Sequence, residues 1–307
     1  MALVHRLWGL MTSRGLLFFL LYCLGAIVNH VDDTDETYGY FEPLHYLLRG
    51  HGMQTWEYAP EFAIRAYSFI APFFVYCLGL TRLMKALGAR DIAIKHMCYF
   101  GVKVALGAFT SYSQSTFLAA VASFLGPQTA RLSFVLMFFS AGSFYAATAF
   151  LPSAICASLV MLGSAAWMRG HDLRCIFFGA IAVLCTGWPF IGLMFLPLGV
   201  YILMSRLVGG ASGARRLTIR AFVVTTTPLI GTSLVLIGFI ALFTIIVDST
   251  LYGRWTWPTL NIFVYNTGLS SYLGWEGSPA GGDTLYGVEP AMYYIKNLTL
   301  MLGPSFV

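Results

Sequence analysis

Apolar runs long enough to cross a bilayer recur along the chain from Leu7 onward, each closed by Gly, Pro or a cluster of charges. A hydrocarbon core about 30 Å thick takes about 20 apolar residues of helix, and in lipid every backbone polar group needs an internal partner. The pattern therefore predicts an all-α, multi-span integral membrane protein. Spans are expected at 16–28, 66–81, 96–113, 114–126, 132–150, 152–168, 175–188, 190–205 and 222–247, with a further one starting near Tyr293. The first has the length of a signal-peptide core and follows Arg6 and Arg14, but the cleavage signals after it are poor, which favours a retained anchor.

Composition agrees with that reading: 58% hydrophobic and 10% charged residues over 307 positions is more apolar surface than a soluble domain can cover. Charge then orients the spans. Of 13 acidic residues, seven lie between Asp32 and Glu61 and four between Asp248 and Glu289. Basic residues are sparse in those segments, where Arg49 and Arg254 stand alone, and gather at Arg82, Lys85, Arg90 and Lys95, at Arg169 and Arg174, and at Arg206, Arg215, Arg216 and Arg220. The positive-inside rule assigns all three clusters to the cytosol, so the loops at 29–66 and 248–294 face one compartment, the lumen. The net charge of +5 does not signal nucleic acid, because the cations sit in short clusters between apolar runs. Six cysteines, at 23, 77, 98, 156, 175 and 185, show neither metal-ligand nor paired spacing and read as packing residues. No internal repeat is present, and the Gly- and Ser-rich stretch Val208–Ala214 reads as a cytosolic linker within one domain, 1–307.

The first loop carries the candidate chemistry. Asp32, Asp33, Asp35 and Glu36 emerge directly from a span, where like charges crowd at a cost unless cations or function compensate. Pro43 suits a first helical turn, Leu44, Leu47 and Leu48 line one side, and Gly50 or Gly52 offers a stop, so a short helix on the membrane surface is expected. Tyr38, Tyr40, Phe41, Tyr46, Trp56 and Tyr58 read as an interfacial aromatic belt that sets the acids beside lipid headgroups. That placement suits attack by a hydroxyl on the anomeric carbon of a lipid-linked sugar phosphate, with a carboxylate as general base. Arg49, His51, Arg65, Arg254 and Lys296 are available to stabilise the leaving phosphate. Adjacent Asp35 and Glu36 would point in different directions on a helix, so one acts as base and the other positions. The chemistry requires no metal or other cofactor. A transporter would need ionisable residues inside spans, and only Lys103 and Arg131 come near, both toward expected span ends.

At this loop the sequence resembles the multi-span, GT-C-type mannosyltransferases that use dolichyl-phosphate mannose (glycosyltransferase family 22), specifically the alpha-1,2-acting members of N-glycan precursor assembly. The resemblance is carried by Asp35-Glu36-Thr37-Tyr38, Tyr40-Phe41-Glu42-Pro43, His45-Tyr46-Leu47-Leu48, Gln54-Thr55-Trp56-Glu57-Tyr58 and Ile64-Arg65. Phe150-Leu151-Pro152-Ser153, Gly187-Trp188-Pro189-Phe190, Asp248-Ser249 with Tyr252-Gly253, Leu260-Asn261-Ile262, Tyr265-Asn266, and Leu285-Tyr286-Gly287 with Glu289-Pro290 follow in the same order. The resemblance implies a GT-C-type helix bundle in the endoplasmic-reticulum membrane, of which this chain is the front half. It implies inverting transfer of mannose, in the lumen, from dolichyl-phosphate mannose to a dolichol-pyrophosphate-linked oligosaccharide. Asp35 and Glu36 take the catalytic role, Asp35 first. Asp33, Glu42, His45, Gln54, Trp56, Glu57, Tyr58 and Arg65 of the first loop, with Asp248, Tyr252, Arg254 and Glu289 of the second, are expected substrate contacts. Gly39 between the two tyrosines, Ala154-Ile155-Cys156 after the Leu-Pro-Ser run, and the Gly- and Ser-rich insertion Thr267–Gly282 depart from the family pattern. The relatives acting on GPI anchors, or forming alpha-1,6 linkages, usually carry His-Pro-Asp-Glu, where this chain has Thr34 before Asp35-Glu36.

Overall fold

A computed structural model describes residues 13–31, 33–208, 219–267, 269 and 289–302. Expectations for Arg6, Asp32, positions 209–214, Arg215, Arg216 and most of the 267–282 insertion lie outside the described residues. The described chain is helical, with no strand among the described residues. Four helices in it are long and apolar enough to cross a membrane.

The first helix, α1 (Ser13–Val28), buries Phe18, Tyr22, Gly25 and Ala26 and turns Leu16, Leu20, Leu24 and Ile27 outward. Its buried side lies on α4 (Asp91–Phe124), where Gly107 admits Tyr22; a Cβ on Gly107 would stand 3.0 Å from the Tyr22 Cβ. Without a hydrophobic drive between helices in lipid, such small residues and buried hydrogen bonds hold the pair, here Tyr22 donating to Gln114 Oε1 at 2.6 Å.

Helix α4 corrects the sequence reading. Two spans were expected at 96–113 and 114–126, but one 34-residue helix runs through both. The polar residues at the expected boundary are satisfied inside the helix: Ser111 donates to the Gly107 carbonyl at 2.6 Å, Ser113 to Phe109 at 2.8 Å and Ser115 to Tyr112 at 3.0 Å. Thirty-four residues make about 51 Å of helix, well beyond a bilayer core of about 30 Å. Lys103 Nζ donates to the Asn29 carbonyl at 2.6 Å, which sets Lys103 level with the end of α1. From there to Phe124, about 32 Å remain for the crossing, so residues 91–102 run on past α1.

Helix α3 (Tyr67–Ala86) packs beside that overhang. Helix α2 (Glu42–Arg49), in the first loop, follows it to its far end, where Arg49 meets Asp91 at 3.6 Å. The expected 66–81 span is therefore one arm of a hairpin that stays at the acidic loop's end. Arg82, Lys85, Arg90 and Lys95 belong to that end too, rather than with the other basic clusters. Hydropathy registers the length of α3 but not its neighbour.

After α4 the chain returns through α5 (Pro127–Phe138) and α6 (Ala141–Ala146), broken at Ser140. Asn29 Nδ2 donates to the Phe144 carbonyl at 3.2 Å, which brings this pair back to the loop end. Helix α7 (Pro152–Met168) then leaves, and Arg169 donates to the Thr116 carbonyl at 3.1 Å near the opposite end. Helix α8 (Asp172–Ala180) and a π-helical turn (Ile181–Cys185) return, α9 (Gly192–Val208) leaves, and α10 (Ile219–Tyr252) comes back. The opposite end is tied by Arg206 and Asp172 at 2.6 Å. The expected break at Gly187-Trp188-Pro189 is present at the loop end: Gly187 has φ +66°, and a Cβ there would meet Ala66 Cβ at 2.7 Å. Helices α11 (Pro258–Asn266) and α12 (Ala291–Leu302) follow. The non-crossing α3 and the merged α4 offset each other in the count of crossings, so Asp248 still arrives beside the first loop.

The hairpin placement is open to labelling. Met53→Cys and Lys85→Cys in a background free of the native cysteines should react with a membrane-impermeant maleimide from the same face of a sealed vesicle, and His171→Cys from the other. Reaction of positions 85 and 171 from one face would restore the sequence topology.

Candidate active site

Local folding separates the two carboxylates that adjoin in sequence. Asp33 caps a single helical turn, Thr34–Glu36, by accepting from the Asp35 N–H at 2.8 Å. A π-helical turn, Thr37–Phe41, follows and leads into α2, which has Pro43 in its first turn and stops at left-handed Gly50. The expected helix and stop are thus both present. Asp35 keeps a side chain 60% exposed, whereas Glu36 is 6% exposed and faces inward.

The loop closes on Arg65. Its Nη2 donates to Glu57 Oε1 at 2.9 Å and to Asp35 Oδ2 at 3.1 Å, and its Nη1 donates to the Tyr40 hydroxyl at 2.7 Å. Burial alone would lower the Arg65 pKa; Tyr40, Glu57 and Asp35 together more than offset it and hold the guanidinium charged. Burial pushes the Tyr40 hydroxyl up to about 12, so it stays protonated beside the cation. Tyr58 donates to the Gly39 carbonyl at 2.6 Å and Tyr252, from α10, to the Arg65 carbonyl at 2.6 Å. Tyr40 and Tyr58 are therefore core residues and not part of an interfacial belt; each hydroxyl has a fixed internal partner, while Tyr38 and Tyr46 remain exposed.

Glu36 works on the other side of the turn. Its Oε1 accepts from the Phe150 N–H at 2.8 Å, just before the Leu-Pro-Ser start of α7. Burial raises its pKa, against the lowering effects of that N–H and of Lys103. Asn29, His30, Asp33, Glu36 and Lys103 line one wall of a cavity of about 690 Å³ that opens between α6, α7 and α12.

The remaining candidates divide. Asp248, buried on α10, accepts from the Ser68 N–H at 2.7 Å and from its hydroxyl at 3.0 Å, which anchors α3 rather than a ligand. Gln54 donates to the Tyr67 hydroxyl at 2.6 Å, Glu42 accepts from Met53 N–H at 3.2 Å, and Trp56 packs edge-on to Phe62. His45 sits against His51, its pKa lowered by burial. Arg254, Glu289 and Lys296 are exposed and do not join the Arg65 group. The sequence marked Asn261 only as part of a family motif and gave it no role; it braces the strained turn before Arg65 by donating to the Phe62 and Ala63 carbonyls at 3.1 Å, where Ala63 has φ 45°. Sequence reasoning also left Lys103 unassigned, although a cation inside an apolar helix is itself a signal. Among the described residues no three His, Cys, Asp or Glu side chains gather to hold a metal ion.

Arg65→Met would strand Glu57 and Tyr40 and should cost about 3–5 kcal/mol, whereas Asp35→Asn, at an exposed pair, should cost under about 1 kcal/mol; thermal melting in detergent separates them. Because the folded state raises the Glu36 pKa, it binds that proton more tightly than the unfolded chain. The Glu36 contribution to stability therefore falls as pH rises from 4.5 through the raised folded value. Glu36→Gln should keep the Phe150 contact and lose that slope in melts recorded across pH.

Comparison with known proteins places this geometry. The alpha-1,2-mannosyltransferase alg9 of Schizosaccharomyces pombe is 33% identical over 279 residues, covering 88% of this chain and 42% of its own length. Alg9 of Drosophila melanogaster is 32% identical over 276 residues, 89% of this chain and 38% of its own, and ALG9 of Arabidopsis thaliana 31% over 294 residues, 92% and 44%. The chain thus spans about two fifths of the length of these curated relatives. No solved structure matches it. The model of the Alg9-like mannosyltransferase family matches residues 15–307, from α1 to the last residue, and on that match the chain belongs to the Alg9-like mannosyltransferase family.

Proposed function

We propose that the protein transfers mannose, with inversion, from dolichyl-phosphate mannose to a mannose 2-hydroxyl of a dolichol-pyrophosphate-linked oligosaccharide at the lumenal face of the endoplasmic-reticulum membrane. The observation that carries this is the exposed Asp35 carboxylate, held by a buried, permanently charged Arg65 at the membrane end of an Alg9-like fold. A single carboxylate suits inverting transfer. The acceptor hydroxyl attacks the anomeric carbon, its proton passes to Asp35, and the bond from that carbon to the phosphate oxygen breaks to release dolichyl phosphate. Arg65 fixes the direction of the carboxylate, a positioning effect that acts before any bond changes.

Glu36 lacks the exposure to take that proton from a bulky glycan, and it orients the loop against α7 through Phe150. Neutralising the leaving phosphate falls to side-chain cations at the loop end, with no metal cofactor. The cations of Arg169, Arg174 and Arg206 at the opposite end support the lumenal placement of the site.

Expression of the gene in cells lacking their own alpha-1,2 enzyme should lengthen the truncated lipid-linked oligosaccharide by a residue that an alpha-1,2-mannosidase removes. Extension in microsomes should need dolichyl-phosphate mannose and fail with GDP-mannose once the dolichyl-phosphate mannose synthase is blocked. No extension, or direct use of GDP-mannose, would overturn the assignment.

A further inference from the structure

The α3–α4 hairpin brings together two of the six cysteines. Cys77 on α3 is fully buried and Cys98 on α4 is partly exposed. The Cys77 sulfur lies 4.0 Å from the Cys98 carbonyl oxygen, and the Cys98 sulfur 3.8 Å from the Cys77 carbonyl oxygen. Each thiol thus reaches the other's main chain across the contact between the two helices. One turn along, Gly101 leaves room for the Tyr76 side chain, and a Cβ there would come 2.9 Å from its hydroxyl oxygen. Disulfides need Cα atoms about 4.4–6.8 Å apart, and reciprocal sulfur-to-carbonyl contacts place these two residues opposite one another. Cys98 also meets Thr81 Oγ1 at 3.6 Å, while Cys156 meets Thr186 Oγ1 at 3.3 Å and the Ala182 carbonyl at 3.6 Å.

Sequence spacing gave no hint of a pair, because 21 residues and a turn separate the two positions. On the sequence topology, moreover, the turn between the helices faced the cytosol, where thiols stay reduced. The hairpin's actual position changes that: Arg49 meets Asp91, so the whole hairpin shares the acidic loop's end. If that end is lumenal, as proposed above, the thiols meet an oxidising compartment.

We propose that Cys77 and Cys98 form a disulfide that staples α3 to α4. Cys98 is the entry point. It opens on a cleft lined by Glu42, His45, Arg49 and Lys95. Its thiolate attacks the disulfide of an oxidant of the disulfide-exchange class, forming a mixed disulfide and expelling one thiolate. Cys77 then attacks the Cys98 sulfur and expels the second. Two protein thiols give up two protons and two electrons, and the oxidant's disulfide is reduced to two thiols. The staple fixes the platform on which α2 rests and, through Arg49 and Asp91, the reach of the first loop.

Protein solubilised from cells in N-ethylmaleimide and digested with trypsin without reduction should yield Ala66–Arg82 linked to His96–Lys103. Cys98→Ser should abolish the linked species. Reduction should lower the melting temperature of the wild type and leave that of Cys98→Ser unchanged. Purified, reduced protein treated with oxidised glutathione tests the geometry apart from the compartment. Linkage there but alkylated thiols in the cell-derived sample would overturn the staple as a feature of the cellular protein. Absence of linkage in both would overturn the geometry as well. Mannose extension in the same cells reads the proposed transfer independently, so a missing disulfide beside normal extension leaves that function standing.

Discussion

A single buried cation organises this end of the protein. Arg65 is 9% exposed, and a guanidinium so placed must be paired and hydrogen-bonded or it costs several kcal/mol. Its partners come from three stretches of the first loop: Asp35 from the opening turn, Tyr40 from the π-helical turn, and Glu57 from the turn at Trp56–Tyr58. Satisfying Arg65 therefore folds the loop. The same residue's carbonyl takes the Tyr252 hydroxyl, which links the loop to α10, nearly 190 positions away in sequence. Asp248, one turn earlier on α10, holds the start of α3 through Ser68, so two contacts from one helix fix the loop's exit.

That arrangement explains how neighbouring carboxylates acquire different duties. The cap on Asp33 and the π-helical turn after Glu36 rotate the chain so that Asp35 stays in the open while Glu36 turns in toward Phe150. One carboxylate is held by a cation in reach of solvent; the other is a buried strut between the loop and the start of α7. The family match, which runs through the whole described chain, agrees with the proposal that the loop end is where sugar transfer occurs.

Much of this was legible in the sequence, for stated physical reasons. Pro43 and Gly50 mark the start and stop of α2, Glu57 and Arg65 stand among the expected site residues of the loop, and Asp248 returns to the acidic end. What was not legible depends on neighbours that hydropathy does not register. Helix α3 has the length and composition of a span but lies along α2 and the overhang of α4, which Arg49 and Asp91 join to each other at its far end. Ser111, Ser113, Gln114 and Ser115 lie where two spans were expected to meet, yet each hydroxyl serves its own helix and Gln114 serves Tyr22. Tyr40 and Tyr58 have the composition of an interfacial belt, but Arg65 and Gly39 give their hydroxyls partners inside. The charge rule grouped the 82–95 cluster with the other two because it reads every basic cluster between apolar runs alike.

The division of labour between Asp35 and Glu36 is the central claim, and steady-state mannose transfer measures it most directly. With each rate normalised to folded protein, Asp35→Asn should lower transfer by about 100-fold or more, the scale of a lost general base, while Glu36→Gln, which preserves the Phe150 contact, should stay within about tenfold of wild type. Near-normal transfer by Asp35→Asn beside a collapse in Glu36→Gln would contradict the account.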